Sequence, residues 1–274
     1  MKKLRLLCLL LSVLSVCLLL CGCSSEIVLP RDPDDSYVPS GQKKPIGASS
    51  SYEISYTSGG DGTCCVSGIS LKNGKTPDSL LEIPERSPQG DTVTAVECKL
   101  VEGGFNTAIT RIKLPDSVSE INEGFCSNFP NLEQVDLPDS LTAIPEKLFY
   151  GLKNLKSVSI PESVTSIGDH AFTDCDALVT LTIPDSVQHI GTRAFSNCDS
   201  LKRIVIPHGI SKMGTDAFLG LNYCAVFYEG TRTEWYSVRP STTSVDYVTY
   251  YYSETKPANA GKFWHYVDGV ATTW

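Results

Sequence analysis

Acidic residues at a regular spacing are the first candidates for chemistry in this sequence. They recur every 23 residues, at Asp116, Asp139, Glu162 and Asp185. Carboxylates about 5 Å apart, one strand spacing, could hold a cation such as calcium. Each of them directly follows an apolar run and a proline, however, where an acidic side chain can cap a turn by accepting bonds from backbone N–H groups. We favour the turn and predict no metal site.

Neither the positions of the histidines nor any known catalytic motif indicates an enzyme. His170, His189 and His208 occupy positions 16, 12 and 8 of successive 23-residue units, so stacking of the units would not gather them. The sequence contains no H-E-x-x-H, G-x-S-x-G or nucleotide-binding glycine loop. The GGDG stretch at 59–62 is better explained as the turn of a β-hairpin. We therefore predict no catalytic residue and no cofactor.

The cysteines are more consistent with packing than with chemistry. Cys175 and Cys198 share a repeat position that Leu152 holds in another unit, which favours the role of a small buried hydrophobe. Adjacent coils are close enough for a disulfide, but parallel side-chain directions make one awkward. Cys64 and Cys65 point to opposite faces of a predicted strand, and no pair of C-x-x-C motifs suggests zinc.

Most of these residues lie in a sequence repeat. Leu155, Leu178 and Leu201 each open a 23-residue unit, for example LVTLTIPDSVQHIGTRAFSNCDS, and five such units tile residues 109–223. Positions 1, 4 and 6 are apolar, and a proline then ends the predicted strand. This period and the L-x-x-L-x-L core predict a right-handed leucine-rich-repeat solenoid with one short strand per repeat and little regular helix. Its units can bury their apolar face only by stacking.

The repeat has a specific resemblance. The pattern L-x-x-(I/L/V)-x-I-P-x-S-V-x-x-I-G-x-x-A-F-x-x-C resembles the treponemal or BspA-like subtype of bacterial leucine-rich repeats, which occurs on surface proteins. The segments FYEGTRTEW and FWHYVDGVATTW also resemble tails that follow such repeats in surface proteins of gut and oral bacteria. The resemblance implies adhesion or surface contact. Members of the family bind different partners, so the resemblance predicts the fold of this chain and does not predict its ligand.

The N-terminus predicts export and a lipid anchor. Basic residues at 2, 3 and 5 precede an uncharged leucine-rich stretch, the arrangement of a secretory signal peptide over residues 1–22. The sequence LCGC at 20–23 resembles the lipobox of bacterial lipoproteins, which implies diacylation of Cys23 as the first mature residue. Two acyl chains give stable anchoring. A retained membrane helix is the alternative.

The chain between the anchor and the repeats predicts a tether followed by a β-structured entry. Residues 23–50 are rich in proline and serine without apolar periodicity, which indicates a disordered tether. Residues 51–108 predict an N-terminal β-hairpin cap and a degenerate first repeat, eight residues longer than the period between Pro84 and Pro115. Loss of the signal would change the net charge from −8 to −11, which disfavours a nucleic-acid partner.

Two surfaces are candidates for binding. Side chains at positions 3 and 5 of each strand should emerge opposite the core. They are Arg111, Lys113, Gln134, Asp136, Ser157, Ser159, Thr180, Thr182, Arg203 and Val205. Residues 224–274 predict an aromatic-rich, β-rich C-terminal cap over the last coil. Its aromatic residues could instead form a platform for sugars or peptides, with Tyr250, Tyr251, Tyr252, Trp264 and Tyr266 as the candidates.

Together these features predict a lipid-anchored binding or adhesion module that presents an extended solenoid face to a protein or glycan partner. The alternatives are a structural envelope lipoprotein without a dedicated ligand and, less favoured, an enzyme-accessory domain. The resemblance of the tail to proteins of Gram-positive gut bacteria favours the extracellular face of the cell membrane in such an organism. No cofactor is expected.

Overall fold

The computed structural model describes residues 51–98, 104–241, 247–257, 261–267 and 270–273, which belong to one compact unit. The predicted signal peptide and tether lie outside the described residues. No helix within the described ranges is long and apolar enough to cross a membrane. The strands are β1 Tyr52–Ser58, β2 Thr63–Leu71, β3 Leu80–Glu82, β4 Thr92–Val96, β5 Arg111–Lys113, β6 Glu120–Ile121, β7 Gln134–Asp136, β8 Ala143–Ile144, β9 Ser157–Val158, β10 Ser166–Ile167, β11 Thr180–Thr182, β12 His189–Ile190, β13 Arg203–Ile206, β14 Lys212–Met213, β15 Cys224–Tyr228, β16 Tyr247–Tyr252, β17 Phe263–Val267 and β18 Val270–Thr273. One α-helix, α1, spans Arg232–Val238, and short 3-10 helices span Phe105–Ala108 and Cys126–Asn128.

Each coil of the solenoid contributes two short strands. The first, which precedes the proline, lies in the sheet β3-β5-β7-β9 or in the sheet β11-β13-β15-β16-β17-β18. The second follows the turn and lies in the sheet β1-β2-β4-β6 or in the sheet β8-β10-β12-β14. Neighbouring coils pair in parallel one repeat apart, as in Thr180 with Arg203. The predicted leucine-rich-repeat solenoid is therefore confirmed, although the second strand was not anticipated.

Side chains at the predicted inward positions form one continuous core. Leu155, Leu178 and Leu201 are fully buried, as are the alanine and phenylalanine of each A-F pair. The aromatic rings of successive coils form a column whose neighbouring centroids lie 4.9, 5.4, 5.9 and 6.5 Å apart. This column consists of Phe149, Phe172, Phe195, Phe218 and Trp235. It ends on α1, so the helix covers the last repeat.

A backbone hydrogen bond closes the turn after each proline, and in all repeats but the last a serine side chain adds a second bond. In the coil of Pro184, Val187 N–H donates to the proline carbonyl at 3.1 Å. The hydroxyl of Ser186 donates to the Val164 carbonyl of the preceding coil at 2.6 Å, and the acidic residue between them, Asp185, is exposed. Among the residues the structure describes, no group of three or more His, Cys, Asp or Glu side chains could hold a metal ion.

The two ends of the solenoid depart from the period. At the N-terminus, β1 and β2 form the predicted antiparallel hairpin, and Gly60 and Gly62 have positive φ in its turn. Leu80 pairs with Arg111, and the predicted insertion lies in the long segment between these two partners. At the C-terminus, Arg203 pairs with Ala225, so this coil is one position shorter than the repeat. The sheet then continues into β16, β17 and β18, so position 223 does not interrupt it.

Candidate binding face

The first strands place most of the predicted binding residues on one exposed surface. We call this surface the polar face. It consists of Glu82, Arg111, Lys113, Gln134, Asp136, Ser157, Ser159, Thr180 and Thr182. Asp136 is half-buried and the other eight residues are exposed. The inward neighbours between them are apolar, so the alternation of the strands fixes which side chains reach solvent.

Charged side chains on the polar face pair between coils. Arg111 forms a salt bridge with Asp136 at 2.8 Å, and the Gln134 amide donates to the same carboxylate at 3.0 Å. Lys113 pairs with Glu82 of the preceding strand at 3.0 Å. Glu82 was absent from the sequence-based list, although LLEIP at 80–84 aligns with RIKLP at 111–115 and would have placed it there. Exposed pairs of this kind contribute little stability, about 0 to 1 kcal/mol.

The middle of the polar face contains a shallow depression of about 300 Å³. Gln134 and Asp136 line one side, and Ser157 and Ser159 line the other. It lies where β7 and β9 are hydrogen-bonded neighbours, while no strand pairing joins β9 to β11 in the described sheets. Small hydroxyl side chains leave this space open beside the charged pairs.

The C-terminal end of the predicted face is covered, which corrects the prediction for Val205. Val205 is only 6% exposed and packs with Phe227, Trp264 and Ala271 in a second small core. The guanidinium of Arg203 lies 5.3 Å from the centre of the Phe227 ring. The physical reason is the shortened coil before β15, which brings Phe227 beside Val205 on the outward side. Burial of these apolar groups removes them from any binding surface.

The five candidates for the alternative aromatic platform do not form a single exposed surface. Trp264 is fully buried, and its indole N–H donates to the Tyr228 carbonyl at 2.9 Å. Tyr250 stacks on Phe227 with centroids 5.3 Å apart, and Tyr252 lies 5.2 Å from Trp264. These rings form the second core.

The other two candidates have different environments. Tyr266 is 43% exposed, and its hydroxyl donates to Glu229. Burial raises the pKa of both Tyr266 and Glu229. Tyr251 packs against the main core instead. The five aromatic residues are thus distributed over at least two environments.

The two cysteines that share a repeat position are buried, and their thiols donate to the backbone. Cys175 Sγ donates to the Phe149 carbonyl at 3.2 Å, and Cys198 Sγ donates to the Phe172 carbonyl at 3.0 Å. Burial raises the pKa of Cys198 to about 12. A thiol that stays protonated is a poor nucleophile and a poor metal ligand. None of the seven cysteines of the described ranges forms a disulfide, and only Cys65 is not buried.

A solenoid with parallel 23-residue coils and an inward leucine or isoleucine at the start of each coil is a leucine-rich-repeat domain. Residues 105–225 match the BspA-type leucine-rich-repeat region in six copies. The strict period alone gives five of these units. Repeat domains of this class present extended surfaces that suit protein recognition.

Solved structures of bacterial leucine-rich-repeat proteins have the same fold. A protein from T. pallidum is 25% identical with a TM-score of 0.54, covering 68% of this chain and 86% of that one. A protein from Bacteroides ovatus is 22% identical with a TM-score of 0.51, covering 73% and 70%. The pneumococcal vaccine antigen PcpA is 19% identical with a TM-score of 0.52, covering 65% of this chain and 48% of the antigen. No curated protein matches the chain significantly.

Proposed function

We propose that this chain is a lipid-anchored binding module on the extracellular face of the cell membrane of a Gram-positive bacterium. The polar face binds a protein or glycan partner there. The lipobox-like residues that end at Cys23 support the anchor. The tether 23–50 supports display away from the membrane, because a flexible proline- and serine-rich chain can extend over tens of ångströms.

One observation carries the proposal of binding: the polar face is exposed over successive coils and charged over the first three of them. The charge alternates from coil to coil, negative at Glu82, positive at Arg111 and Lys113, and negative at Asp136. Hydroxyl side chains follow around the depression. Alternating charge gives selectivity for a partner with complementary charges. The hydroxyl groups suit hydrogen bonds with a polar or glycosylated surface better than contact with an apolar helix.

The experiment compares two matched double variants in binding to immobilised host matrix proteins, glycans and bacterial surface material. Arg111→Ala with Gln134→Ala removes two side chains of the polar face. Gln188→Ala with Lys212→Ala removes two exposed side chains near the second strands. We expect about a tenfold loss of affinity from the first pair, because arginine often dominates binding energy, and less than a twofold loss from the second.

The result also separates the alternatives. Equal affinity of both double variants for a partner of the wild-type chain would place the binding site elsewhere. Absence of any partner among the materials tested would favour a structural envelope lipoprotein and contradict the proposal.

A further inference from the structure

A second site lies at the C-terminal end of the solenoid, between α1 and β16. It is an open cleft of about 900 Å³. We call it the basic cleft. Its lining includes Arg232, Tyr236, Arg239, Tyr247, Tyr251 and Lys262. None of these residues belongs to the polar face, and of the aromatic residues expected from sequence only Tyr251 is among them.

The cleft concentrates positive charge in an acidic protein. The net charge of the chain is −8, yet Arg232, Arg239 and Lys262 form no salt bridge with a carboxylate among the described residues. All three side chains are exposed at the cleft. Most salt bridges elsewhere in the solenoid join neighbouring coils, as Lys156 does with Glu133 at 2.6 Å. Cations without an internal counter-ion are available for an external anion.

The two arginines are held in position by one aromatic ring. The guanidinium carbons of Arg232 and Arg239 lie 5.6 and 4.6 Å from the centre of the Tyr236 ring, so both positive charges lie beside the same ring. Arg232 also donates to the Tyr236 hydroxyl at 3.4 Å. These arginines lower the pKa of Tyr236, as expected of a region of positive potential. Positioned guanidinium groups favour bidentate bonds to carboxylate or sulfate groups.

The remaining lining offers flat rings and hydroxyl groups. Tyr247 and Tyr251 are half-buried, and Tyr247 packs edge-on against Phe218 with centroids 5.4 Å apart. Tyr236 is 50% exposed. Tyrosine faces provide apolar area on which the C–H groups of a sugar ring can lie, while the phenol hydroxyl groups form hydrogen bonds. The cleft is much larger than a single inorganic anion requires, so an extended ligand fits it better.

We propose that the basic cleft binds an anionic saccharide, a sugar chain that carries carboxylate or sulfate groups. The arginines and Lys262 bind the acidic groups, and the tyrosine rings contact the sugar faces. This site is separate from the one under Proposed function, so each can fail without the other.

The test is isothermal titration of the full-length chain with defined probes. A sulfated heparin oligosaccharide and an oligogalacturonate of matched length carry the two kinds of acidic group, and a neutral malto-oligosaccharide is the control. Vesicles of phosphatidylglycerol and phosphatidylcholine test whether an anionic lipid surface is bound instead. We expect at least one charged saccharide to bind and the neutral one not to bind, with affinity that falls as salt is added. The charged probe that binds identifies the acidic group.

Matched variants assign the binding to the cleft. Arg232→Gln with Arg239→Gln should weaken the charged saccharide about tenfold or more, because two charge-assisted contacts are lost. Lys202→Gln with Lys212→Gln removes the same charge from exposed positions outside the cleft and should change affinity less than twofold. Lys262→Gln, which leaves α1 unchanged, should weaken binding by a smaller factor. The polar-face double variant should bind the saccharide like the wild type.

Several results would overturn the proposal. One is a folded Arg232→Gln, Arg239→Gln variant, with unchanged thermal unfolding, that binds the charged saccharide as the wild type does. Equal binding of the neutral sugar, no binding of either charged saccharide, or binding to the anionic vesicles alone would do the same.

Discussion

Lys147, His170, Arg193 and Asp216 occupy the same position of successive repeats, and all adopt the left-handed backbone conformation, with φ between 52 and 56°. In a non-glycine residue this conformation costs about 1 to 2 kcal/mol. The cost is offset because the N–H of each residue then donates a hydrogen bond to a carbonyl further along the chain. His170 N–H, for example, donates to the Thr192 carbonyl at 2.9 Å. The periodic role of His170 is therefore one of backbone geometry. Side-chain types at this position vary, so the sequence did not reveal it.

At Cys23, the lipid anchor makes a prediction for a single residue. Cys23→Ala should abolish metabolic palmitate labelling and release the protein from membranes, because acylation needs this thiol. Labelling and detergent partitioning of cells that express each form measure the effect. Cys21→Ala, two residues earlier, should retain the label as a control. A Cys23→Ala protein that still partitions into detergent would contradict the lipoprotein proposal and favour a retained membrane helix.

Among the elements, α1 shows how a short helix is stabilised at the end of a repeat domain. The Thr231 hydroxyl accepts from Glu234 N–H at 3.3 Å, and the Glu234 carboxylate accepts from Thr231 N–H at 2.7 Å, a reciprocal capping box. Trp235 then packs on Tyr228 with centroids 5.2 Å apart. The cap and the buried indole together stabilise a helix of seven residues, which would be only marginally stable in isolation.

The capping box predicts a pH dependence. Bonds from the Thr231 backbone and hydroxyl, and from His208, lower the pKa of Glu234 from 4.5 to about 2. Because the folded pKa lies below the unfolded one, the stabilisation is present above pH 4.5 and is lost as the pH falls through about 2. An NMR titration of the side-chain carboxyl carbon should give a midpoint near 2. Thr231→Ala should shift it towards 4.5, and Thr233→Ala should not. A midpoint near 4.5 in the wild type would contradict the capping geometry.

Across the whole molecule, each coil is stabilised by packing against its neighbours in the core. Phe195 is fully buried between Phe172 and Phe218, with centroids 5.4 and 5.9 Å away. In a repeat protein each unit contacts only its neighbours, so local damage should remain local. The second core formed around Trp264 lies on the opposite side of the last sheet and should be disturbed less.

Phe195→Ala should therefore lower the free energy of unfolding by about 3 to 5 kcal/mol, as large-to-small core changes do. Hydrogen exchange should accelerate most over residues 155–223. Tyr223→Ala is the control, since Tyr223 is 91% exposed and its loss should change stability by at most about 0.5 kcal/mol. Unchanged protection over 155–223 in the Phe195 variant would show that the core assignment is wrong.

Local sequence patterns were sufficient to predict the repeat. The 23-residue period, the inward positions 1, 4 and 6, the strand before the proline and the hairpin around the GGDG turn all follow from local patterns. Such patterns suffice because each coil contacts mainly the adjacent copies of itself. Even the insertion before Arg111 was visible as a gap between prolines, and the structure places it in the pairing of β3 with β5.

Which outward residues reach solvent at the C-terminal end depends on tertiary contacts that the sequence patterns did not predict. The shortened coil before Ala225 and the hairpin β17–β18 bury Val205, which was expected on the exposed face, and Trp264, which was a candidate for the alternative aromatic platform. The basic cleft also exists only because α1 and β16, separate in sequence, lie on either side of it. These features depend on contacts between segments that do not resemble one another. Periodicity carries no information about such contacts, since it predicts only the packing between equivalent positions of adjacent repeats.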